Sequence, residues 1–309
     1  MASLILHHYD FSPYSEKVRL AFGYKNLDWN SVQTPIQAPK PDLVPLTAGY
    51  RRAPVLQIGA DVYCDTLLIL REIERRHPEP TLYPGGQRGL VYALSMWWDR
   101  ATFFPGAKLT TSIIGDQIPQ EFLEERKALM NQDFSKSASL QELPLNQQRM
   151  HAAMAWLIDM LKDRPFILGS QPSAADLTAY HILWFAQKNG GADAEGLLPL
   201  APLRDWMDHI AALGHGRRHE IPAQEALDVA RNTAPEPPHI RANADPSGLK
   251  PGQSVAVRAD DYARDPIRGR LVAADTEELI IQHDDGRVGT VYIHFPRAGY
   301  ELLAEDGQP

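Results

Sequence analysis

The stretch that decides the fold is LILHHYDFSPYSEKVRLAF, residues 4–22, in which the quartet SPYS separates an apolar run from an amphipathic one. The apolar residues Leu4-Ile5-Leu6 predict a short buried strand. Ser12 is a good helix N-cap, and proline is tolerated at the first helical position, so a helix is predicted from Pro13 onward. A strand that passes into a helix through this polar turn indicates an α/β layer.

The pattern continues outward from that turn. The alternating DWNSVQT (28–34) predicts a second strand, and the proline-rich PIQAPKPDLVP (35–45) excludes a regular helix or central strand throughout its length. Residues 53–64 predict a β-hairpin, and residues 65–78 have helical periodicity up to a proline. Residues 1–84 are therefore predicted to form one small β-α-β-irregular-β-β-α domain.

Three further segments follow. Residues 88–230 carry helical periodicity without a convincing strand, which predicts an all-helical domain. Residues 231–246 are proline-rich, polar and without periodicity, and they predict a linker. Residues 247–305 hold five short alternating runs separated by turn residues, which predict a small five-stranded β-barrel of Src-homology-3-like size.

Charge and cysteine content limit the classes of function. The net charge is −8, which argues against nucleic acid and against an anionic membrane as partners. One cysteine, Cys64, allows no internal disulfide and suits a reducing compartment. The first residues lack a basic signal-peptide region, and no apolar run approaches the ~20 residues of a membrane helix. We expect a soluble cytoplasmic protein.

Three stretches together resemble the cytosolic glutathione transferase family, and the resemblance covers residues 1–230. They are FSPYSEKVRLAF (11–22), YRRAPVLQIGADVYCDTLLIL (50–70) and FILGSQPSAADLTAYHILWF (166–185). The resemblance implies a thioredoxin-like domain followed by an all-α domain, with glutathione as co-substrate, no metal, and a homodimer. The barrel at residues 247–305 departs from the family's usual architecture.

The family's catalytic position maps onto a serine. Glutaredoxins place C-P-Y-C where this chain has SPYS, and without cysteines at positions 12 and 15 a mixed disulfide cannot form. Lowering the glutathione thiol pKa by ~2 units requires roughly 2.7 kcal/mol, which one or two hydrogen bonds to the thiolate can supply. The resemblance implies that Ser12 donates this bond. Helix capping alone is the alternative role for Ser12, and Tyr9 is the alternative activating residue.

The tripeptide-binding residues are implied by the second stretch. Pro54 resembles the family's cis-proline, beside which the backbone of Ala53 pairs with the cysteinyl part of glutathione. Asp65 and Thr66 stand where the family has Glu or Gln followed by Ser, and they are expected to hold the γ-glutamyl amine and carboxylate. Arg52 is expected to face the peptide. As alternatives, Asp65 and Thr66 could serve only as a helix N-cap, and Arg51 could face the peptide in place of Arg52.

Two other features have structural interpretations. Ser173 and Asp176 form the spacing of a helix capping box, a folding element in the family. An aromatic group near the first helix of the second domain could line the electrophile pocket or belong to the core: Trp97, Trp98, Phe103 and Phe104.

The sequence thus predicts a glutathione S-transferase that activates the thiol for attack on a small hydrophobic electrophile, in detoxification. A glutathione-dependent isomerase or lyase, and a non-catalytic transferase-like interaction protein, are the alternatives. Residues 245–309 carry 7 Lys/Arg and 12 Asp/Glu, which again argues against nucleic acid. For that region we expect packing against the enzyme core or a dimer partner, or binding to a separate protein.

Overall fold

The computed structural model of the protein describes residues 3–240 and 245–305. By its internal contacts the chain divides into two units, and each is built from segments distant in sequence. Unit 1 contains Met1–Asp10, Asp28–Glu72 and Arg217–Pro309, and unit 2 contains Phe11–Leu27 and Ile73–Gly216.

The elements are numbered in chain order. The strands are β1 (Leu4–His8), β2 (Asp28–Gln33), β3 (Val55–Ile58), β4 (Asp61–Cys64), β5 (Arg217–Glu220), β6 (Ser254–Ala259), β7 (Ile267–Ala274), β8 (Glu278–Asp285), β9 (Gly289–Pro296) and β10 (Tyr300–Ala304). The helices are α1 (Pro13–Tyr24), α2 (Val44–Thr47), α3 (Thr66–Arg76), α4 (Arg88–Ile114), α5 (Gln120–Met130), α6 (Lys136–Met160), α7 (Ala174–Leu197), α8 (Arg204–Ala211) and α9 (Ala223–Arg231).

The element order of the first 84 residues confirms the predicted thioredoxin-like pattern. Strand β1 pairs in parallel with β2 and antiparallel with β3, and β3 continues into β4 as a hairpin. Gly59 makes the turn with a φ of +65°, a left-handed conformation that glycine adopts without steric cost. The short helix α2 begins near the end of the proline-rich segment, at Val44.

The C-terminal β region, residues 247–305, contains the five predicted strands. Their order is β10-β6-β7-β8-β9, with every neighbouring pair antiparallel. The fold class predicted from the sequence is therefore confirmed. Within the predicted linker, 231–246, the first residue ends α9, and residues 241–244 lie outside the described part of the chain.

The C-terminal β region continues the sheet of the first domain. Strand β9 pairs in parallel with β4, with Asp61 opposite Tyr292 and Tyr63 opposite His294. In the described residues the result is one ten-stranded sheet, ordered β10-β6-β7-β8-β9-β4-β3-β1-β2-β5. An unpaired edge strand exposes backbone N–H and C=O groups, and this pairing satisfies them along both β4 and β9. Spacing in the sequence does not reveal such a pairing.

One hydrophobic core joins the β3-β4 hairpin of unit 1 to the C-terminal β region. Side chains of β3 and β4 pack in the same cluster as side chains of β6 to β10, and the free Cys64 lies within it as a small apolar residue. Its fully buried members include Val55, Val62, Cys64, Val255, Leu279, Ile281, Val291, Ile293 and Phe295. The C-terminal β region thus packs against the chain's own first domain.

A buried ion network lies where β4 meets β8 and β9. His294 on β9 donates through Nδ1 to Glu278 Oε1 at 2.6 Å and through Nε2 to Asp61 Oδ1 at 3.0 Å. Glu278 also accepts from Arg71 of α3. Both ring nitrogens of His294 face carboxylates, so both carry protons and the ring is an imidazolium. Burial opposes that charge, but the bonds to Asp61 and Glu278 outweigh it and raise the pKa of His294 to about 9.

This network predicts a stability change at alkaline pH. The folded-state pKa of His294 lies above the 6.5 of an ordinary histidine, so the protonated ring contributes fully below pH 6.5. The contribution, about 3 kcal/mol, is lost as the pH rises to 9. Urea unfolding of the wild type should therefore show falling stability over this range. His294→Gln should lose that part of the pH dependence. If the free energy of unfolding fell equally steeply with pH in both proteins, His294 would not be the group responsible.

Unit 2 is a bundle in which α4 packs against α6 and α7, and α1 packs against α7. The predicted capping box is present at the start of α7, where Ser173 Oγ accepts from the amide of Asp176 and the Asp176 carboxylate accepts from that of Ser173. Asp176 also accepts from the amide of Ile167 at 2.8 Å and from the indole of Trp206 at 3.0 Å. The structural interpretation of this motif is confirmed.

Two boundaries differ from the sequence analysis. The expectation that residues 88–230 are entirely helical is wrong at β5, which pairs in parallel with β2 and belongs to unit 1. Helix α1 groups with the helical unit because of its packing on α7. In residues 3–240 and 245–305, no helix combines the length and apolar composition needed to cross a bilayer.

Candidate functional site

The candidate site in unit 1 lies at one end of the β3-β4 hairpin. Val55, the first residue of β3, pairs with Cys64, the last residue of β4. Residues 53–54 and 65–66, which the sequence analysis assigns to glutathione binding, therefore flank the same end of the hairpin. Val55 also pairs with His7 of β1, so the segment after β1 reaches that end as well.

Ala53 and Pro54 enter this end in the predicted backbone conformation. The Ala53–Pro54 peptide bond is cis. Ala53 is half-buried and Pro54 is buried. The binding role of these two residues stays a prediction.

Asp65 and Thr66 open helix α3. The Asp65 Oδ1 accepts from the amide of Leu67 at 2.9 Å, which is the bond of a helix N-cap. Its second oxygen, Oδ2, accepts from the hydroxyl of Tyr300 at 3.3 Å. Thr66 is buried, whereas Asp65 is half-buried. The Asp65 carboxylate therefore has a capping function and also contacts the C-terminal β region.

Arg52 is held by the β6-β7 loop, residues 260–266. Its guanidinium donates to the carboxylate of Asp261 and to the backbone oxygen of Tyr262, and it stacks 3.9 Å from the centre of the Tyr262 ring. The neighbouring Arg51 pairs with Asp265 at 2.5 Å. Both arginines that were expected to face the peptide thus have acidic partners in the same loop.

Ser12 lies in unit 2, at the start of α1. It is 1% exposed, and its Oγ accepts from the amide of Ser15 at 3.2 Å. Its backbone is extended and Pro13 follows, as expected for an N-cap. The structure therefore contains the capping interaction that was the alternative role for Ser12, and the activating role stays a prediction.

The aromatic group on α4 divides into core and surface residues. Trp98 and Phe103 are buried, and Phe103 packs on the ring of Tyr14 with centroids 4.9 Å apart. Trp97 is 36% exposed and stacks on Trp156 of α6 at 4.9 Å. Because Tyr14 belongs to α1, Phe103 contacts the helix that Ser12 caps.

Sequence reasoning missed the residues that surround Asp65 and Arg52. Asp261, Tyr262 and Tyr300 belong to the C-terminal β region. The first two lie 209 and 210 positions from Arg52, and Tyr300 lies 235 positions from Asp65. These contacts depend on the pairing of β9 with β4, because that pairing places the C-terminal β region beside the β3-β4 hairpin. No local pattern signals that pairing.

Comparison with known proteins identifies the family. Residues 6–81 match the glutathione S-transferase N-terminal domain, and residues 127–209 match the glutathione S-transferase C-terminal domain. FtsZ-localized protein A of Caulobacter vibrioides is 25% identical over 179 residues, covering 56% of this chain and 73% of that protein.

Solved structures extend the comparison to the C-terminal β region. A glutathione S-transferase from Rhodospirillum rubrum F11 is 19% identical with a TM-score of 0.51, covers 68% of this chain and 87% of its own, and shows the fold alone. A GST-like protein from Pseudomonas syringae is 33% identical with a TM-score of 0.78, and the match covers 99% of this chain and 100% of that one. The chain belongs to the glutathione S-transferase family.

Proposed function

We propose that this protein is a glutathione S-transferase that binds glutathione through the end of the β3-β4 hairpin and activates its thiol for attack on a small hydrophobic electrophile. The observation that carries the proposal is the convergence of Ala53, Pro54, Asp65 and Thr66 at that end, within a chain of this family. The backbone beside Pro54 and a carboxylate at a helix start match the peptide and amine of glutathione in chemistry.

Each residue has a separate role in the proposal. The backbone of Ala53, beside Pro54, pairs with the cysteinyl part, while Asp65 binds the γ-glutamyl ammonium. Thr66 and the amides at the start of α3 bind the γ-glutamyl carboxylate, because helix N-termini attract anions. Arg52 lines this region with its charge balanced by Asp261.

Ser12 stabilises the thiolate in this proposal. Its hydroxyl has one proton to donate, while its oxygen accepts from Ser15, so capping and donation to a thiolate are compatible. Tyr9, which follows β1, is the alternative activating residue. The electrophile is expected to bind on the helical domain, and a homodimer in the cytoplasm acting in detoxification completes the proposal. The same chemistry would serve an isomerase or lyase.

Asp65→Ala should weaken glutathione binding about 10- to 100-fold, because it removes a charge-assisted hydrogen bond worth roughly 1.5–3 kcal/mol. Isothermal titration calorimetry measures the change. The alanine also removes the cap of α3, so Asp65→Asn is the matched variant: asparagine retains capping but lacks the charge. Both variants should lose affinity, and only the alanine should lose helix stability. Unchanged affinity in the asparagine variant would exclude Asp65 as the ammonium ligand.

A second candidate is a non-catalytic interaction protein. Two observations favour it: the hydroxyl of Ser12 is almost fully buried, and Arg52 is already paired with Asp261. The similarity to a protein named for its localisation with FtsZ is in line with such a role. Absence of glutathione binding at millimolar concentration, with the fold intact by circular dichroism, would favour this candidate over the transferase.

A further inference from the structure

The C-terminal β region places a chain of hydroxyl groups next to Asp65. Tyr300, the first residue of β10, donates its hydroxyl proton to Asp65 Oδ2 at 3.3 Å, and the hydroxyl of Tyr50 lies 3.1 Å from that of Tyr300. A phenol has one proton, so Tyr50 must donate to the Tyr300 oxygen. Burial raises the pKa of both tyrosines well above the ordinary value, which keeps them as hydroxyl donors.

These donors hold the Asp65 carboxylate without saturating it. One oxygen accepts from the amide of Leu67 and the other from Tyr300, while a carboxylate offers about four acceptor positions. The remaining positions can accept from an ammonium group. Because one donor is backbone and the other is a buried ring on a strand, the plane of the carboxylate is fixed before a ligand arrives, which reduces the entropy lost on binding.

The guanidinium of Arg52 is already engaged within unit 1. Its terminal nitrogens donate to Asp261 and to the Tyr262 carbonyl, and its side chain is 12% exposed. The competing Asp261 is tethered to the same chain, so its effective concentration is far above that of a free ligand. The positive charge of Arg52 is therefore balanced within unit 1 by Asp261, whereas the Asp65 carboxylate accepts only from neutral donors, Leu67 and Tyr300, in the bonds described above.

We propose that Tyr300 is a positioning residue that orients Asp65 toward the ammonium group of the ligand, and that this subsite selects ligands by their free amine. The inference rests on the proposed function, since it concerns the γ-glutamyl end of glutathione. It also assigns the C-terminal β region a part in ligand recognition.

The test compares two peptides: glutathione and the analogue in which hydrogen replaces the γ-glutamyl amine. Calorimetry should show that the wild type prefers glutathione about 10- to 100-fold. Tyr300→Phe keeps the ring that packs on Phe295 and removes only the hydroxyl. It should reduce the preference about fivefold to tenfold, through weaker binding of glutathione, and leave the affinity for the amine-free analogue unchanged.

The matched control is Tyr292→Phe, which removes the hydroxyl of a half-buried tyrosine on β9 and should leave the preference at the wild-type value. Equal weakening of both peptides in Tyr300→Phe would show a merely structural role and overturn the inference, as would an unchanged preference. If the wild type binds neither peptide, the proposed function fails and the inference with it.

Discussion

Replacing Glu278 by alanine is expected to lower the free energy of unfolding by about 3–5 kcal/mol, because it leaves buried cations without their partner. Glu278 has 0% exposure, and its carboxylate joins Arg71 to His294 in the network between β4, β8 and β9. Its charged form is stabilised there: burial raises the carboxyl pKa, but the histidines His239 and His294, with Arg71, hold it well below the ordinary value. Thermal unfolding should show a drop in midpoint of about 10 °C.

The neighbouring Glu277 provides the control for this substitution. Its carboxylate lies 3.4 Å from the same arginine, but it is 42% exposed. An exposed ion pair contributes about 0–1 kcal/mol, so Glu277→Ala should change the midpoint little. If the two alanine variants were equally stable, the buried network would not hold the C-terminal β region to the first domain.

Ser12→Ala is expected to reduce turnover about 10- to 100-fold while changing glutathione affinity little. A hydrogen bond from a hydroxyl to a thiolate is worth roughly 1.5–3 kcal/mol, and about 1.4 kcal/mol corresponds to a tenfold rate. The thiol pKa of bound glutathione, followed by thiolate absorbance, should rise. A kinetic comparison with saturating glutathione separates this effect from binding.

The capping role of Ser12 needs its own control, because the alanine also removes the bond from Ser15 at a cost of about 1 kcal/mol. Ser135 caps α6 in the same way, accepting from the amide of Ala138 at 3.3 Å. Ser135→Ala should lose similar stability and keep full turnover. If Ser12→Ala behaves like Ser135→Ala in both respects, Ser12 is only a cap, and Tyr9→Phe is the next variant to measure.

Much of the local structure could be predicted from local patterns. Ser12-Pro13 starts α1, the alternation in residues 28–34 forms β2, and Ser173 with Asp176 caps α7. The two caps depend on bonds between residues three positions apart, and β2 is recognisable from its alternation although it pairs with the distant β1 and β5. The helices of unit 2 were predicted from their periodicity, which is also a local pattern.

The site was predicted only in part. The positions 53–54 and 65–66 were grouped by family resemblance, and their convergence follows from a hairpin, which is a short-range contact. The partners of Arg52 and Asp65 were not predicted. They depend on residues 261, 262 and 300, which belong to a region that the sequence pattern separates from the first domain by the helical segment 88–230 and a proline-rich linker.

The sequence by itself therefore determined most of the elements, the family and the candidate glutathione-binding residues, because periodicity, caps and turns depend on residues that are close together in the chain. Only the tertiary structure decided that β9 joins β4, that Glu278 and His294 become a buried ion network, and that Tyr300 contacts Asp65. The physical reason is that the backbone groups of an edge strand can pair with almost any other strand, because they are the same in every sequence. Which strand becomes the partner depends on the apolar and charged side chains that are buried together at the junction, and these come from distant parts of the chain.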